Sequence, residues 1–229
     1  MPIRPSFNRA QVTDLSMFED HFKDLVDRIP RDGGTVELQN LLYNFALDVT
    51  TDFLFGYSIN TLRSDSDQIY KDFNIAFSHA LSRIWPRTRM GKFIDLVPDP
   101  KFQKSRKIVQ KHVKRFVDKA LATQASLGSK KVSNRYIYLH EMVASTSDPT
   151  ELMKHALSIL LAAKDTTSAA LSSTFYLLVR HPEVWRKLSA KITTELNREI
   201  PAFEQLKKLK YLYHVINEGI SSLIFTPIF

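Results

Sequence analysis

The feature that most constrains the fold is an unbroken run from Pro149 to Arg180 with apolar residues recurring at spacings of three and four. At about 32 residues it far exceeds the roughly 11–12 of an average helix, and it predicts one very long helix. Its middle, residues 160–171, reads LLAAKDTTSAAL. Residues 156–163 are apolar except Ser158, and residues 169–178 are mostly apolar, so residues 164–168 form a polar island in a helix of core character. A buried charge costs several kcal/mol or shifts its protonation unless it is paired or put to use. One reading is that the island simply turns outward at a surface crossing. Five consecutive residues cover more than a full turn, however, so at least one of Asp165, Thr166 and Thr167 must face inward. A threonine there can bond back to the carbonyl four residues earlier, Ala162 for Thr166, or leave it free and open the helix locally. An acid beside an alcohol at such a point can deliver protons.

Helical periodicity extends along nearly the whole chain, and no convincing strand or repeat interrupts it. Leu15, Phe18, Phe22, Leu25 and Ile29 predict an amphipathic helix with a capping box at Ser16 and Glu19, stopped by Pro30 and Gly33. Residues 36–55 predict a second helix, with Leu38, Leu41, Leu42, Phe45, Val49 and Phe53 on one stripe and Gly56 at its end. Residues 68–82 predict a third, and WPRTRMGKFIDLVPDP, residues 85–100, reads as a loop broken by prolines. From Lys101 a basic amphipathic helix lines up Phe102, Val109, Val113, Phe116, Val117 and Leu121 against lysines and arginines. SLGSKKVSN, residues 126–134, reads as a linker before a short helix over 136–146. Pro182 starts a further helix, and the last, from about residue 202, gives way to an apolar tail.

Composition narrows the chemistry. The chain has no cysteine, which removes disulfides, thiolate metal sites and cysteine nucleophiles. The 7 histidines have no metal-ligand spacing, and His112, His140 and His155 read as surface or capping residues. No glycine-rich phosphate loop, GxSxG or HExxH is present. A net charge of +8 permits attraction to an anionic membrane or an acidic partner. The basic helix lacks aromatics interleaved with its charges, which argues against nucleic acid and for a solvated face. No apolar run reaches membrane-spanning length, and the first residues lack the apolar core of a secretory signal.

AAKDTT, residues 162–167, resembles the central-helix signature of the cytochrome P450 monooxygenases, small-Gly-x-Asp-Thr-Thr, with Ala163 in place of the usual glycine. The resemblance continues through SAALSSTFYLLVRHPEVWRKLSAKI, with the helix restart at Arg180-His181-Pro182-Glu183, and is supported upstream by RPSFNRAQV and LDVTTDFLFGYSINTL. It covers nearly the whole chain and looks closest to fungal members that hydroxylate alkanes and fatty acids. It implies a mainly α fold, residues 1–229 forming a single partial P450 helical domain around the long central helix, with 220–229 an atypical tail.

By that resemblance the long helix crosses the distal face of a haem. Thr166 would hydrogen-bond the oxygen being activated, Asp165 would relay protons to it, and Ala162 and Ala163 would leave room beside the haem for oxygen and substrate. One oxygen atom from O2 would enter a hydrophobic, alkane- or fatty-acid-like substrate with electrons from an NADPH-dependent reductase. The parent protein would sit at the cytosolic face of the endoplasmic reticulum membrane. Glu218 fits the family's structural Glu-x-x-Arg, with Ser221 at the arginine position, and the likeness stops after Gly219. The family's early Trp and Arg haem contacts and its haem-ligating cysteine are missing. The pattern therefore predicts an internal fragment, inactive by itself and prone to expose apolar surface. The alternative is a non-catalytic helical module that binds a lipid or a partner protein.

Overall fold

The computed structural model describes residues 15–63, 67–91, 97–127, 137–196 and 201–225. Among these the chain is helical with no strand, in the order α1 (Ser16–Val26), α2 (Leu38–Phe55), α3 (Gln68–Met90), α4 (Pro100–Leu127), α5 (Tyr138–Ser145), α6 (Pro149–Arg180), α7 (Pro182–Leu196), α8 (Phe203–Lys208) and α9 (Lys210–Phe225). The predicted long helix is α6, continuous over 32 residues. Its start is built locally: the Thr150 N–H donates to Asp148 Oδ1 at 2.9 Å and the Thr146 hydroxyl to Glu151 Oε2 at 2.9 Å. Pro149 occupies the first turn, where its missing N–H costs nothing.

Residues 47–162 form one compact unit, and residues 15–46 with those from 163 onward form another. The core of the first gathers the second half of α2, α3, α4, α5 and the first half of α6 around Tyr138, Phe73, Phe77, Val113, Leu152 and Leu160. Phe116 of α4 stacks on Phe55 at 4.3 Å between ring centroids and meets Tyr57 edge-on at 5.1 Å. The apolar stripe read for α4 is the buried one, at Val109, Val113, Phe116 and Val117, and its lysines and arginines lie exposed.

The polar DVTTD of α2 has a structural use. Asp48, fully buried, accepts the Thr61 N–H at 2.7 Å, the Thr61 hydroxyl at 2.9 Å and the Leu62 N–H at 3.0 Å. The Thr51 hydroxyl donates to Leu47 O and accepts the Ile59 N–H at 3.3 Å. Together they staple the turn after α2 back onto the helix. That turn begins at Gly56, whose φ of +80° requires glycine and where a Cβ would lie 2.5 Å from Ile137 Cδ1.

In the second unit α9 approaches α6 closely at Gly219. A Cβ there would lie 3.0 Å from Thr174 Cα, and the Ser173 hydroxyl donates to Gly219 O at 2.9 Å.

Several sequence expectations are corrected. Leu15, not Ser16, is the N-cap of α1, so the capping box does not form, and Glu19 pairs with Lys23 instead. The buried face of α1 is Met17, His21 and Leu25, with Phe18 and Phe22 exposed. Periodicity identifies a stripe but not the neighbour that covers it. Helix α3 runs through Pro86 to Met90 where a loop was expected. Losing that N–H and crowding the preceding turn costs about 3 kcal/mol. Along this stretch Arg83 Nε pairs with Asp99, just before α4, at 3.2 Å, and the Arg87 guanidinium lies 4.6 Å from the centroid of the Phe102 ring on α4. Helix α9 continues to Phe225, since no glycine or proline follows Gly219 until Pro227. The linker expected at 126–134 begins inside α4, and its remainder lies outside the described residues, as does RPSFNRAQV.

Candidate functional site

The buried edge of α6 follows every fourth residue: Leu152, Ala156, Leu160, Lys164 and Ser168. The polar island continues the core-facing row, and the residues on that row are Lys164 and Ser168. Ser168 satisfies itself within the helix, its hydroxyl donating to Lys164 O and at 3.3 Å to Asp165 O. Lys164, 4% exposed, holds its Nζ 5.5 Å from the centroid of the Tyr43 ring on α2.

The residues singled out from the sequence occupy the other side of the same turns. Ala162 and Thr166, four apart and therefore on one face, are exposed, and Ala163 and Asp165 are half-buried. Thr167 is exposed. The inward-facing member expected among Asp165, Thr166 and Thr167 is thus Asp165, and only in part.

Burial pushes the Asp165 carboxyl above its ordinary value, and the neighbouring Lys164 ammonium partly opposes this. Burial lowers Lys164, with the Asp165 charge pulling the other way. Tyr43 is raised by burial and then by the Asp165 charge, offset in part by the hydrogen bond that Gln39 Nε2 donates to its oxygen at 3.4 Å. Asp165 therefore holds a proton at higher pH than an exposed aspartate.

Sequence reasoning missed Lys164, Ser168 and Tyr43. The signal for the first two was present, since counting in fours from Leu152 lands on both. Nothing in one sequence joins Tyr43 to Lys164.

Glu218 is exposed on α9. It borders a cavity of about 260 Å³ lined also by Thr174, Leu177, Leu178, His214 and Val215. Among the described residues no group of three or more metal-binding side chains assembles. Nor is any helix there long and apolar enough to cross a membrane.

The cytochrome P450 family model matches residues 6–220. The cytochrome P450 monooxygenase himC of Aspergillus japonicus is 40% identical over 224 residues, covering 95% of this chain and 40% of that protein. Cytochrome P450 52-E3 of Starmerella bombicola is 37% identical over 229 residues, covering 94% of this chain and 44% of its own length. The crystal structure of the cytochrome P450DA heme domain aligns with a TM-score of 0.71 at 18% identity, over 89% of this chain and 44% of that one. The chain thus spans less than half the length of these relatives.

Proposed function

This chain belongs to the cytochrome P450 family, and on that premise we propose that it forms the oxygen-handling helical portion of a haem-dependent monooxygenase acting on a hydrophobic substrate of the alkane or fatty-acid kind. The observation that carries the reading is the face of α6 on which Ala162 and Thr166 stand exposed one turn apart with half-buried Asp165 beside them. That face bears a methyl group and a small hydroxyl side chain and no bulk, which suits a flat macrocycle lying across it. These residues fit the distal side of a haem. The chain has no cysteine, so an axial thiolate is not among its residues.

When bound, the haem supplies the centre at which dioxygen is reduced. The chain's own residues manage protons and space. The half-buried Asp165 carboxyl keeps a proton to higher pH than an exposed acid and can deliver it through water to the Thr166 hydroxyl on the adjoining side of the same turn. That hydroxyl both accepts and donates, so it can hold the oxygen being activated while forwarding the proton. Ala162 and Ala163 keep the approach open to oxygen and an apolar substrate. Electrons would come from an NADPH-dependent reductase, whose acidic surface suits a chain of net charge +8. An endoplasmic reticulum location is part of the same proposal, as what the family resemblance implies.

The absence of cysteine favours a second reading for this polypeptide taken alone, a non-catalytic helical module. The test is to compare this chain with one extended through a cysteine-bearing segment taken from a relative. The extended chain is expected to give a thiolate-type absorbance for its reduced carbon monoxide complex and to turn over, and the present chain neither. In the extended enzyme Thr166→Ala should consume NADPH without matching product. A thiolate-type band from the present chain would overturn the inactivity, and unchanged coupling in Thr166→Ala would overturn the role of that hydroxyl.

A further inference from the structure

Helix α4 carries eight lysines and arginines and one acid, Asp118. At about 100° per residue, Lys101, Lys104, Lys107, Lys111 and Arg115 fall within about 120° of arc, and all are exposed. The buried row of Val109, Val113, Phe116 and Ala120 lies opposite. The five cations therefore form one straight strip, about 21 Å long, on the outward side of the helix. Among the described residues none of the five is in an ion pair, and Asp118 is taken by Lys114 at 2.7 Å. A face that only keeps a helix in water gains by mixing its signs, as α1 does in pairing Glu19 with Lys23. Like charges three and four apart repel, so this strip weakens the helix that bears it unless an anion meets it.

The side chains around the strip decide what kind of anion that is. A protein interface centres on aromatic and aliphatic anchors, and of the described side chains on α4 no large apolar one is exposed. Single-stranded nucleic acid needs rings to stack on, and the α4 rings are engaged, Phe102 with Arg87 and Phe116 in the core. Four of the five cations are lysines, point charges without the planar fork that matches phosphate geometry. A membrane asks for neither anchor nor fork, since each lysine or arginine brought to an anionic surface strengthens binding about fivefold. We propose that the outward face of α4 is a docking strip for an anionic membrane surface. Because the row runs along the helix axis, all five cations reach a flat surface at once when α4 lies parallel to it. The strip is independent of the oxygen-handling reading, as none of its residues enters that chemistry.

The test is co-sedimentation of this chain with vesicles of phosphatidylcholine alone and of phosphatidylcholine with about 30% phosphatidylserine. At about 0.1 M salt the chain is expected to bind the anionic vesicles, and to leave them as salt rises to about 1 M. Combining Lys104→Gln, Lys111→Gln and Arg115→Gln should weaken that binding by about tenfold or more. Combining Arg186→Gln, Lys191→Gln and Lys208→Gln removes the same net charge from other exposed positions and should weaken it far less. A readout that needs no variant is lysine acetylation followed by mass spectrometry: anionic vesicles should shield Lys104 and Lys111 and leave Lys191 reactive. Binding that survives the α4 triple variant, or equal losses in the two triples, would overturn the proposal. So would equal binding to the neutral vesicles, which would assign attachment to exposed apolar side chains, or tighter binding to a DNA duplex at the same salt. Should the α4 variant not fold, the salt dependence and the acetylation pattern decide it.

Discussion

Asp48 and Lys164 are both charged residues on core-facing positions of helices, and the structure accommodates them in different ways. Asp48 accepts hydrogen bonds from the Thr61 N–H, the Thr61 hydroxyl and the Leu62 N–H, so its charge is spent on closing the turn after α2. Replacing it with alanine strands those donors in the interior. Asp48→Ala should lower the unfolding free energy by about 3 kcal/mol in urea denaturation, and Asp48→Asn by less, because the amide oxygen still accepts. Equal losses in the two variants would mean that the carboxylate's charge, and not its geometry, holds the turn. Lys164 faces a ring and a half-buried acid instead, an arrangement that leaves both groups shifted from their ordinary proton affinities. The sequence showed that residues 164–168 were out of place in an apolar helix, and counting in fours from Leu152 gives the core position to Lys164 rather than Thr166, but nothing in one sequence brings Tyr43 to that lysine.

At the scale of elements, helix type was legible almost throughout because a period near 3.6 needs no partner to be visible. What a period cannot report is how far a helix will run past a breaker, as α3 does at Pro86, or which face a neighbour will cover, as in α1. Two histidines read as surface residues show the same limit. His112 on α4 meets the Phe73 ring of α3 edge-on at 5.5 Å, and burial lowers its proton affinity, with Arg115 and Lys111 adding to the effect. His140 on α5 is also lowered by burial, Glu141 partly opposing. A histidine depressed in the folded state binds its proton first in the unfolded chain, so stability is full above the ordinary value of 6.5 and is lost as pH falls below it toward the folded value. Urea midpoints measured between about pH 7.5 and pH 5.5 should therefore fall on acidification, and the slope should flatten in a His112→Gln, His140→Gln double variant. A slope that the double variant leaves untouched would assign the acid sensitivity elsewhere.

For the whole molecule, the question is how a chain of net charge +8 behaves when it presents this much apolar surface. Phe18, Phe22 and Val26 stand exposed on successive turns of α1, Phe22 at 54%, and Ile29 is exposed just beyond its end. Further apolar side chains are exposed on α6 and α9, including Val179 at 78%, Tyr176, Tyr213 and Ile220. Contiguous apolar surface of this kind drives association, while like net charge keeps copies apart. The two forces respond oppositely to salt. Raising ionic strength from about 0.1 M to 1 M shortens the screening length from about 10 Å to about 3 Å, which removes the repulsion and leaves apolar attraction intact. The isolated chain should therefore bind a hydrophobic dye such as ANS and shift to larger species in light scattering as salt rises. If instead basic side chains of one copy met acidic ones of another, association would be strongest at low salt and dissolve at high salt. A chain that stays monomeric at every ionic strength and binds no dye would mean that these side chains are covered in solution, and the exposed face of α1 would then be the first place to look for the cover.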